Sequence, residues 1–519
     1  MFDLLIRSGR LVDGTGSPWY RGDVGVQGGR IAAIGRLAAA AAVRTIDASG
    51  LVVSPGFIDV HCHSEMPLLA NPRHEARLRQ GITTELLGQD GISYAPVSPA
   101  NRDFWAWYMT GLDGPVPVPW EWASVGEFLA RYDRRVAGNV AYLVPHGNVR
   151  YEVMGSAQRP PTADELRRMQ ALVAEGMAQG AAGLSTGLIY EPCVYADTNE
   201  LIALCAPVAE AGGVFVTHMR DYLAHIVPAL EETFAIARAA HVPAHISHFN
   251  TTADVGLPLV DRARQEGLEI TFDVYPYRAG CTILASQLPS WVQSGGCEQA
   301  LARLCEPETR SRLRPALEAD GCALDKWQHY TIAAVTQPHN RCYEGLSLPA
   351  AAERAGKSLT DFVVDLLAEE RLAVTIIARQ THRSEEDLIA ALRHPCSMFC
   401  TDGILLGGAP HPRGYGTYPR ILGRYVREQR VLSLEEAVRK MTSLPAQHIG
   451  LPDRGLLRPG FAADIVCFDP ETVLDCATYE QGSLPPTGIP YVIVNGVVVI
   501  DGERHTGALP GQALKSARR

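Results

Sequence analysis

The stretch LVVSPGFIDVHCHSE, residues 51–65, places two histidines one residue apart at the end of an apolar run. Side chains alternate between the two faces of an extended chain, so His61 and His63 would share one face while Cys62 points to the other. Such a pair is compatible with a metal site, and equally with two structural histidines in a sheet. The other strand ends of the chain decide between these interpretations.

Seven further apolar runs follow along the 519-residue chain, and segments typical of helices lie between several of them. They read ITTELLGQD, VAYLVPHGN, GAAGLSTGL, GVFVTHMR, PAHISHFN, EITFDVYPY and SMFCTDG. Repeated strand–helix–strand units predict a parallel sheet, and eight strand candidates predict an α/β fold, a closed (β/α)₈ TIM-like barrel over residues 55–445. The gap between the last two runs is too long for one crossover, so we expect an insertion at about residues 283–395.

The two ends of the chain have a different sequence pattern from the middle, with short strand-like runs separated by Gly and Asp-Gly turns. Residues 1–54 predict a small antiparallel β unit, and residues 446–519 contain further strands of the same kind. Because chain termini often lie close together, we expect both ends to form one small β-sandwich.

The composition argues against several classes of protein. Apolar residues make up 46 % and charged residues 20 % of the chain, and the net charge is −10 without a basic block, which disfavours a nucleic-acid partner. We find no apolar run of about 18 residues and no secretory signal, and therefore expect a cytoplasmic protein that does not span a membrane. A homo-oligomer is compatible with the sequence.

Most of the predicted barrel strands end in a group that could bind a metal or transfer a proton. Alone, each such histidine or aspartate is more simply explained as a structural residue or a turn cap. Together they would converge on the carboxyl ends of the barrel strands, where active sites of this fold lie, and they predict a divalent metal site of the zinc type. The residues are His61, His63, Asp90, His218, His248 and Asp402.

Longer stretches carry a resemblance to a known family. GFIDVHCH with a downstream TDG resembles the amidohydrolase superfamily, and GITTELLGQDGISYAP, GLSTGLIYEPCVYADTNEL and APHPRGYGTYPRIL resemble its N-acyl-D-amino-acid deacylase (D-aminoacylase) branch. The resemblance implies a barrel with a small β-sandwich and hydrolysis of N-acyl-D-amino acids to a carboxylic acid and a D-amino acid. It also implies that His61, His63, His218 and His248 are metal ligands and that Asp402 is the general base.

The second strand departs from the family pattern. D-aminoacylases typically read GNCGIS where this chain reads GQDGIS, so Asp90 occupies the position of a cysteine. A carboxylate can bind or bridge zinc but is a harder ligand than a thiolate. We therefore expect Zn²⁺, as one or two ions, with Mn²⁺ or another divalent ion as the alternative. The interpretation that Asp90 only caps its turn stays open.

A second departure concerns the substrate. The family's sixth-strand motif continues SHLK, and that lysine contributes to binding the substrate carboxylate, whereas this chain reads SHFN. Either an arginine supplies the missing charge, or the substrate is a neutral or cyclic amide. A catalytically inactive metal-binding protein is the alternative from another class. The predicted substrate-binding residues are Tyr190, Arg220, Asn250, Tyr275, Arg379 and Arg383. Separately, the proline-rich tract at residues 410–413 predicts a rigid loop that brings His411 or Arg413 near the pocket.

Overall fold

Eight parallel strands form a nearly closed barrel, which confirms the predicted fold class. The computed structural model describes residues 1–37, 39–115, 117–318 and 323–517. In chain order the barrel strands are Phe57–Asp59, Ile82–Leu87, Asn139–Pro145, Gly183–Gly187, Val214–His218, Ala244–Ile246, Ile270–Val274 and Ser397–Phe399. Each strand pairs with its neighbour in the sequence order, as expected for a singly wound barrel.

The seam between the first and last barrel strands is closed just beyond their carboxyl ends. Cys62–His63 pairs in parallel with Gly403–Ile404. The backbone N–H of Asp402 donates to the carbonyl of His61 at 2.8 Å. The buried Tyr418 hydroxyl donates to a backbone carbonyl of the first strand at 2.7 Å. The seam therefore places His61, His63 and Asp402 side by side.

Helices cover the outside of the barrel, and several begin at caps that the sequence encodes. Thr162 and Glu165 form a capping box before Ala163–Ala178, which satisfies backbone N–H groups that the first helical turn leaves free. Apart from the helices between residues 284 and 374, the other helices are Glu65–Ala70, Glu75–Leu78, Arg102–Tyr108, Thr110–Asp113, Val125–Leu129, His146–Met154, Thr198–Glu210, Ile226–Ala240, Ala253–Gln265, Glu385–Arg393, Arg413–Arg420 (which continues as a π-helix over Ile421–Glu428), Leu434–Met441 and Ser443–His448. Among the described helices, none combines the length and the apolar character needed to cross a membrane.

The two chain ends form one nine-stranded sheet. Its strands are Phe2–Leu11, Tyr20–Gln27, Arg30–Gly35, Ala42–Asp47, Val52–Pro55, Ile465–Phe468, Tyr491–Val494, Val497–Asp501 and Arg504–His505. Ile465–Phe468 pairs antiparallel with Val52–Pro55 and so joins the two ends of the chain. The expectation of a purely antiparallel N-terminal unit is wrong, because Phe2–Leu11 pairs in parallel with Ala42–Asp47. The Gly and Asp-Gly turns in the sequence predict hairpins between consecutive strands, but they do not predict which non-consecutive strands pair.

A separate layer follows the seventh barrel strand. The strands Ala279–Ile283, Tyr330–Ala334 and Thr375–Arg379 form an antiparallel sheet with its own apolar core, which includes Trp327, Ile332 and Phe362. Its helices are Ser290–Gln293, Cys297–Cys305, Pro307–Glu318, Ala323–Trp327, Leu348–Ala355 and Leu359–Glu369.

A buried charge cluster lies beside the first two barrel strands. The Glu85 carboxylate accepts from Arg77 Nε at 3.0 Å and from Ser64 Oγ at 2.9 Å, and it lies 2.9 Å from His74 Nε2. Burial alone would raise the pKa of Glu85, but the charges of His74 and Arg77 lower it to about 2. The carboxylate therefore stays ionised in the folded protein.

This cluster predicts an acid-dependent loss of stability. Because the folded pKa of Glu85 lies below the unfolded value of 4.5, its contribution is fully present above pH 4.5 and is lost as the pH falls toward 2. A shift of this size corresponds to about 3 kcal/mol. Urea unfolding of the metal-free wild type and of Glu85→Gln should show a stability difference that shrinks over this window. A difference that does not change with pH would contradict the assignment.

Candidate metal centre

All six side chains predicted at the strand ends meet in one buried cluster. Each of them is at most 8 % exposed. They come from the first, second, fifth, sixth and eighth barrel strands, whose carboxyl ends lie at the same rim of the barrel. The members are His61, His63, Asp90, His218, His248 and Asp402.

Asp90 lies at the centre of the cluster. Its Oδ1 is 3.6 Å from His61 Nε2, 3.7 Å from His218 Nδ1 and 3.9 Å from His248 Nε2. Its Oδ2 is 3.6 Å from His63 Nε2. One oxygen of this carboxylate therefore faces three histidines, and the other oxygen faces the fourth.

Asp402 faces the same histidines from the other side of the seam. Its Oδ1 lies 3.7 Å from His61 Nε2 and 3.5 Å from His63 Nε2. Its Oδ2 is held by the guanidinium of Arg413 at 2.6 Å, and Arg413 is completely buried. Arg413 thus fixes which carboxylate oxygen points toward the histidines.

The donor set fits a divalent ion of the zinc type. Ligand atoms bound at about 2.1 Å around a tetrahedral ion lie about 3.4 Å apart, close to the separations observed here. Among the described residues, His61 Nε2, Asp90 Oδ1 and His218 Nδ1 are buried without a hydrogen-bond partner. Buried polar atoms normally have partners, so these unsatisfied atoms indicate that an ion completes the cluster.

The backbone at three of the six residues lies in the left-handed region. The φ angles are +55° at Asp90, +32° at His248 and +44° at Asp402. Non-glycine residues seldom adopt such angles, and their occurrence together favours a functional site. Gly88 precedes Asp90 with φ +80°, and a Cβ there would lie 2.3 Å from a backbone carbonyl of the third strand. Ser185 donates from Oγ to the carbonyl of Gly88 and so holds this turn.

Opposite charges stabilise each other in the metal-free cluster. Burial alone would lower the pKa of His61, but the charges of Asp90 and Asp402 raise it well above its usual value. In turn, His61 and His218 hold the pKa of Asp90 well below its usual range although burial opposes this. Burial and the neighbouring His218 lower the pKa of His248 to about 4, which keeps this imidazole neutral and able to bind a metal at neutral pH.

Asp273, in the seventh barrel strand, is a supporting residue that the sequence analysis did not identify. Its Oδ1 accepts from the backbone N–H of His248 at 2.7 Å, and its Oδ2 lies 2.8 Å from His245 Nε2 and 3.6 Å from His61 Nδ1. Carboxylates in this position orient metal-binding imidazoles. The one signal in the sequence is an aspartate inside the otherwise apolar run EITFDVY.

A cavity of about 460 Å³ opens above the cluster, between the barrel and the three-stranded layer. Tyr190, Asn250, Tyr275 and Arg379 line it, as does Arg413. Two of the predicted substrate-binding arginines lie elsewhere. Arg383 is completely buried behind Asn250, while the guanidinium of Arg220 is occupied by the Glu232 carboxylate at 2.8 Å and by carbonyls after the fourth strand.

Comparison with known proteins agrees with this architecture. The chain belongs to the amidohydrolase family, whose sequence model matches residues 44–500. It is 37 % identical to a D-aminoacylase of Alcaligenes xylosoxydans xylosoxydans, over 99 % of this chain and 97 % of that relative. An N-acyl-D-glutamate deacylase of the same organism is 35 % identical, over 99 % and 96 % of the two chains.

A solved structure extends the likeness to the whole fold. The crystal structure of N-acyl-D-glutamate deacylase from Bordetella bronchiseptica, complexed with zinc and a phosphonate mimic of the tetrahedral intermediate, superposes with a TM-score of 0.84 at 35 % identity. The match covers 99 % of this chain and all of that chain. The resemblance inferred from the sequence motifs is thereby confirmed.

The central place of Asp90 predicts the effect of removing it. Asp90→Ala should lower the affinity for zinc by at least about tenfold, since this carboxylate faces four histidines. Elemental analysis after dialysis, with zinc titration, measures both the affinity and the number of ions per chain. The exposed Asp164→Ala serves as the control. Unchanged zinc binding in Asp90→Ala would show that the carboxylate only ends its turn.

Proposed function

We propose that this protein is a zinc-dependent hydrolase that cleaves N-acyl-D-amino acids to a carboxylic acid and a D-amino acid. One observation carries the proposal: an ionised aspartate, Asp402, directs one oxygen at a ring of metal-binding histidines on the floor of a ligand-sized cavity. The full-length relatives named D-aminoacylase and N-acyl-D-glutamate deacylase support the reaction and the D configuration.

His61, His63, Asp90, His218 and His248 would hold the metal. A bound divalent ion supplies an acidified water and polarises the scissile carbonyl. Asp402 accepts the proton of the attacking water through Oδ1, because Arg413 occupies Oδ2. It then delivers that proton to the leaving nitrogen. Asp402 is ionised and therefore free to accept a proton, because burial, which would raise its pKa, is outweighed by Arg413 and His61, which lower it.

Tyr190 is placed to stabilise the tetrahedral intermediate. It lines the cavity, its ring packs edge-on against His218 with 5.1 Å between centroids, and its hydroxyl lies 3.1 Å from Thr282 Oγ1. Burial raises the pKa of this hydroxyl, so it remains a hydrogen-bond donor at neutral pH. Arg379 stands at the exposed rim of the same cavity and would attract an anionic substrate.

Asn250 favours a second candidate function, the hydrolysis of neutral or cyclic amides. The residue lines the cavity and carries no charge, so by itself it gives no reason for a substrate with a free carboxylate. A panel of N-acetyl-D-amino acids, their L enantiomers, the corresponding amides and a hydantoin, assayed with zinc-loaded protein, separates the two. Turnover confined to the amides or the hydantoin would replace the first proposal with the second.

The role of Asp402 has its own test. Asp402→Asn keeps the size of the side chain but cannot accept a proton, so kcat should fall by at least about 100-fold. Zinc content should stay close to that of the wild type, since five other residues remain to hold the metal. Activity within a few-fold of the wild type would rule out Asp402 as the base.

A further inference from the structure

A buried arginine behind the cavity wall leaves two of its nitrogen atoms without a hydrogen-bond partner among the described residues, although the Asp387 and Glu385 carboxylates lie near enough to stabilise its charge. Arg383 is completely buried, and among the described residues its Nε and Nη2 have no hydrogen-bond partner. Proteins seldom bury a charged side chain without pairing it, because its desolvation is costly. Burial lowers the pKa of Arg383 to about 10, so the guanidinium is still charged at neutral pH. The position of this cation therefore calls for an explanation.

A side-chain hydrogen bond from Arg383 fixes the orientation of Asn250. Arg383 Nη1 donates to Asn250 Oδ1 at 3.1 Å. Because a guanidinium has donors only, the amide oxygen must face it, and the amide nitrogen must face the other way. Asn250 Nδ2 accordingly donates to the hydroxyl of Tyr275 at 2.8 Å. His382 holds the backbone of Asn250 in place by donating from Nε2 to its carbonyl at 2.9 Å.

The Tyr275 hydroxyl receives a second donor, Gln380 Nε2, at 2.9 Å. With two donors on its oxygen, the hydroxyl still has its own hydrogen to donate, and Tyr275 is among the residues that line the cavity. The guanidinium of Arg413 lies over the Tyr275 ring at 4.5 Å from its centroid, which withdraws electron density and strengthens the hydroxyl as a donor. The hydrogen bonds from Arg383 to Asn250 and from Asn250 to Tyr275 thus have the same donor-to-acceptor direction.

We propose that Arg383, Asn250 and Tyr275 form a hydrogen-bonded relay that recognises the free carboxylate of the substrate. Tyr275 and the second amide hydrogen of Asn250 contact the carboxylate, and Arg383 is a positioning residue that polarises both from behind. In a chain of hydrogen bonds at low local dielectric, each bond strengthens the next, so the charge of Arg383 is felt at the cavity surface. The inference rests on the proposed deacylase function and makes N-acyl amino acids, not neutral or cyclic amides, the substrates of this site.

The test compares N-acetyl-D-leucine with its neutral amide. The wild type should prefer the acid. Arg383→Gln should lower kcat/KM for the acid by about tenfold or more, mainly through KM, and leave the amide within a few-fold, because a neutral donor binds Asn250 less strongly than a guanidinium does and no longer places a positive charge behind the substrate carboxylate. Arg383→Lys, which keeps the charge, should restore part of the preference. Arg439→Gln, a partly buried arginine paired with Glu436, is the matched control and should change neither substrate.

A smaller substitution, Tyr275→Phe, separates the proposed effect from misfolding of the Arg383→Gln variant. Tyr275→Phe removes one oxygen and should also lower the preference for the acid, and the double variant Tyr275→Phe/Arg383→Gln should lose less than the two single effects combined, since both act on one relay. Thermal unfolding and zinc content verify each variant. Wild-type preference in folded, zinc-loaded Arg383→Gln would overturn the relay, as would a wild type that does not prefer the acid.

Failure of the deacylase proposal is recognised separately. If the wild type hydrolyses neither compound nor any other N-acetyl-D-amino acid, that proposal is wrong, and the relay is then judged by calorimetric binding of the acid and the amide to Asp402→Asn. Acid binding that weakens when Arg383→Gln is added to this background supports the relay. Equal binding of acid and amide with and without Arg383→Gln overturns it.

Discussion

The pairing of Cys62–His63 with Gly403–Ile404 is the constraint on which the site depends. It joins the first and last barrel strands where they leave the barrel, and the Asp402 N–H bond to the His61 carbonyl belongs to the same seam. Asp402 and the first pair of histidines are therefore fixed to each other by backbone bonds. A register shift of one residue would turn the side chains to the opposite face and disperse the cluster.

The same seam brings ionisable side chains together in a buried place, where their charged forms are disfavoured. Carboxylates and imidazoles are packed together with several atoms that lack partners among the described residues, and left-handed backbone angles add strain at Asp90, His248 and Asp402. Both features are destabilising in the absence of an ion, which would satisfy the free donor atoms at once. The cluster is thus built for a ligand at the expense of the stability of the metal-free fold, a common property of functional sites.

The barrel and the six converging side chains could be predicted because their signals are local. An apolar run of four to six residues followed by a polar residue is visible without knowledge of the fold, and the barrel geometry then brings the strand ends together. Asp273 could not be predicted in this way, because an aspartate inside an apolar strand has no distinctive local pattern. The bond between Arg413 and Asp402 was equally hidden, since it joins the first residue of the helix Arg413–Arg420 to a strand end that the helix approaches only in the folded chain. The sequence likewise could not rank Arg220, Arg379 and Arg383, which the fold assigns to an ion pair, a cavity rim and a buried position.

Asn250 shows that the residue at the surface of a cavity does not by itself determine the charge of that part of the cavity. From the sequence, an amide in place of a lysine removes a charge from the cavity, and a neutral substrate follows as an alternative. In the fold, the Arg383 guanidinium donates a hydrogen bond to this amide from behind the cavity wall. A positive charge therefore still acts on this part of the cavity. Inserting one hydrogen-bonded amide increases the distance between the cation and a bound carboxylate and so weakens their attraction at equal dielectric, but exclusion of water lowers the dielectric and offsets part of that loss. The charge of a subsite is therefore a property of all the groups whose field reaches it, and the residue at its surface determines mainly the geometry of the contact.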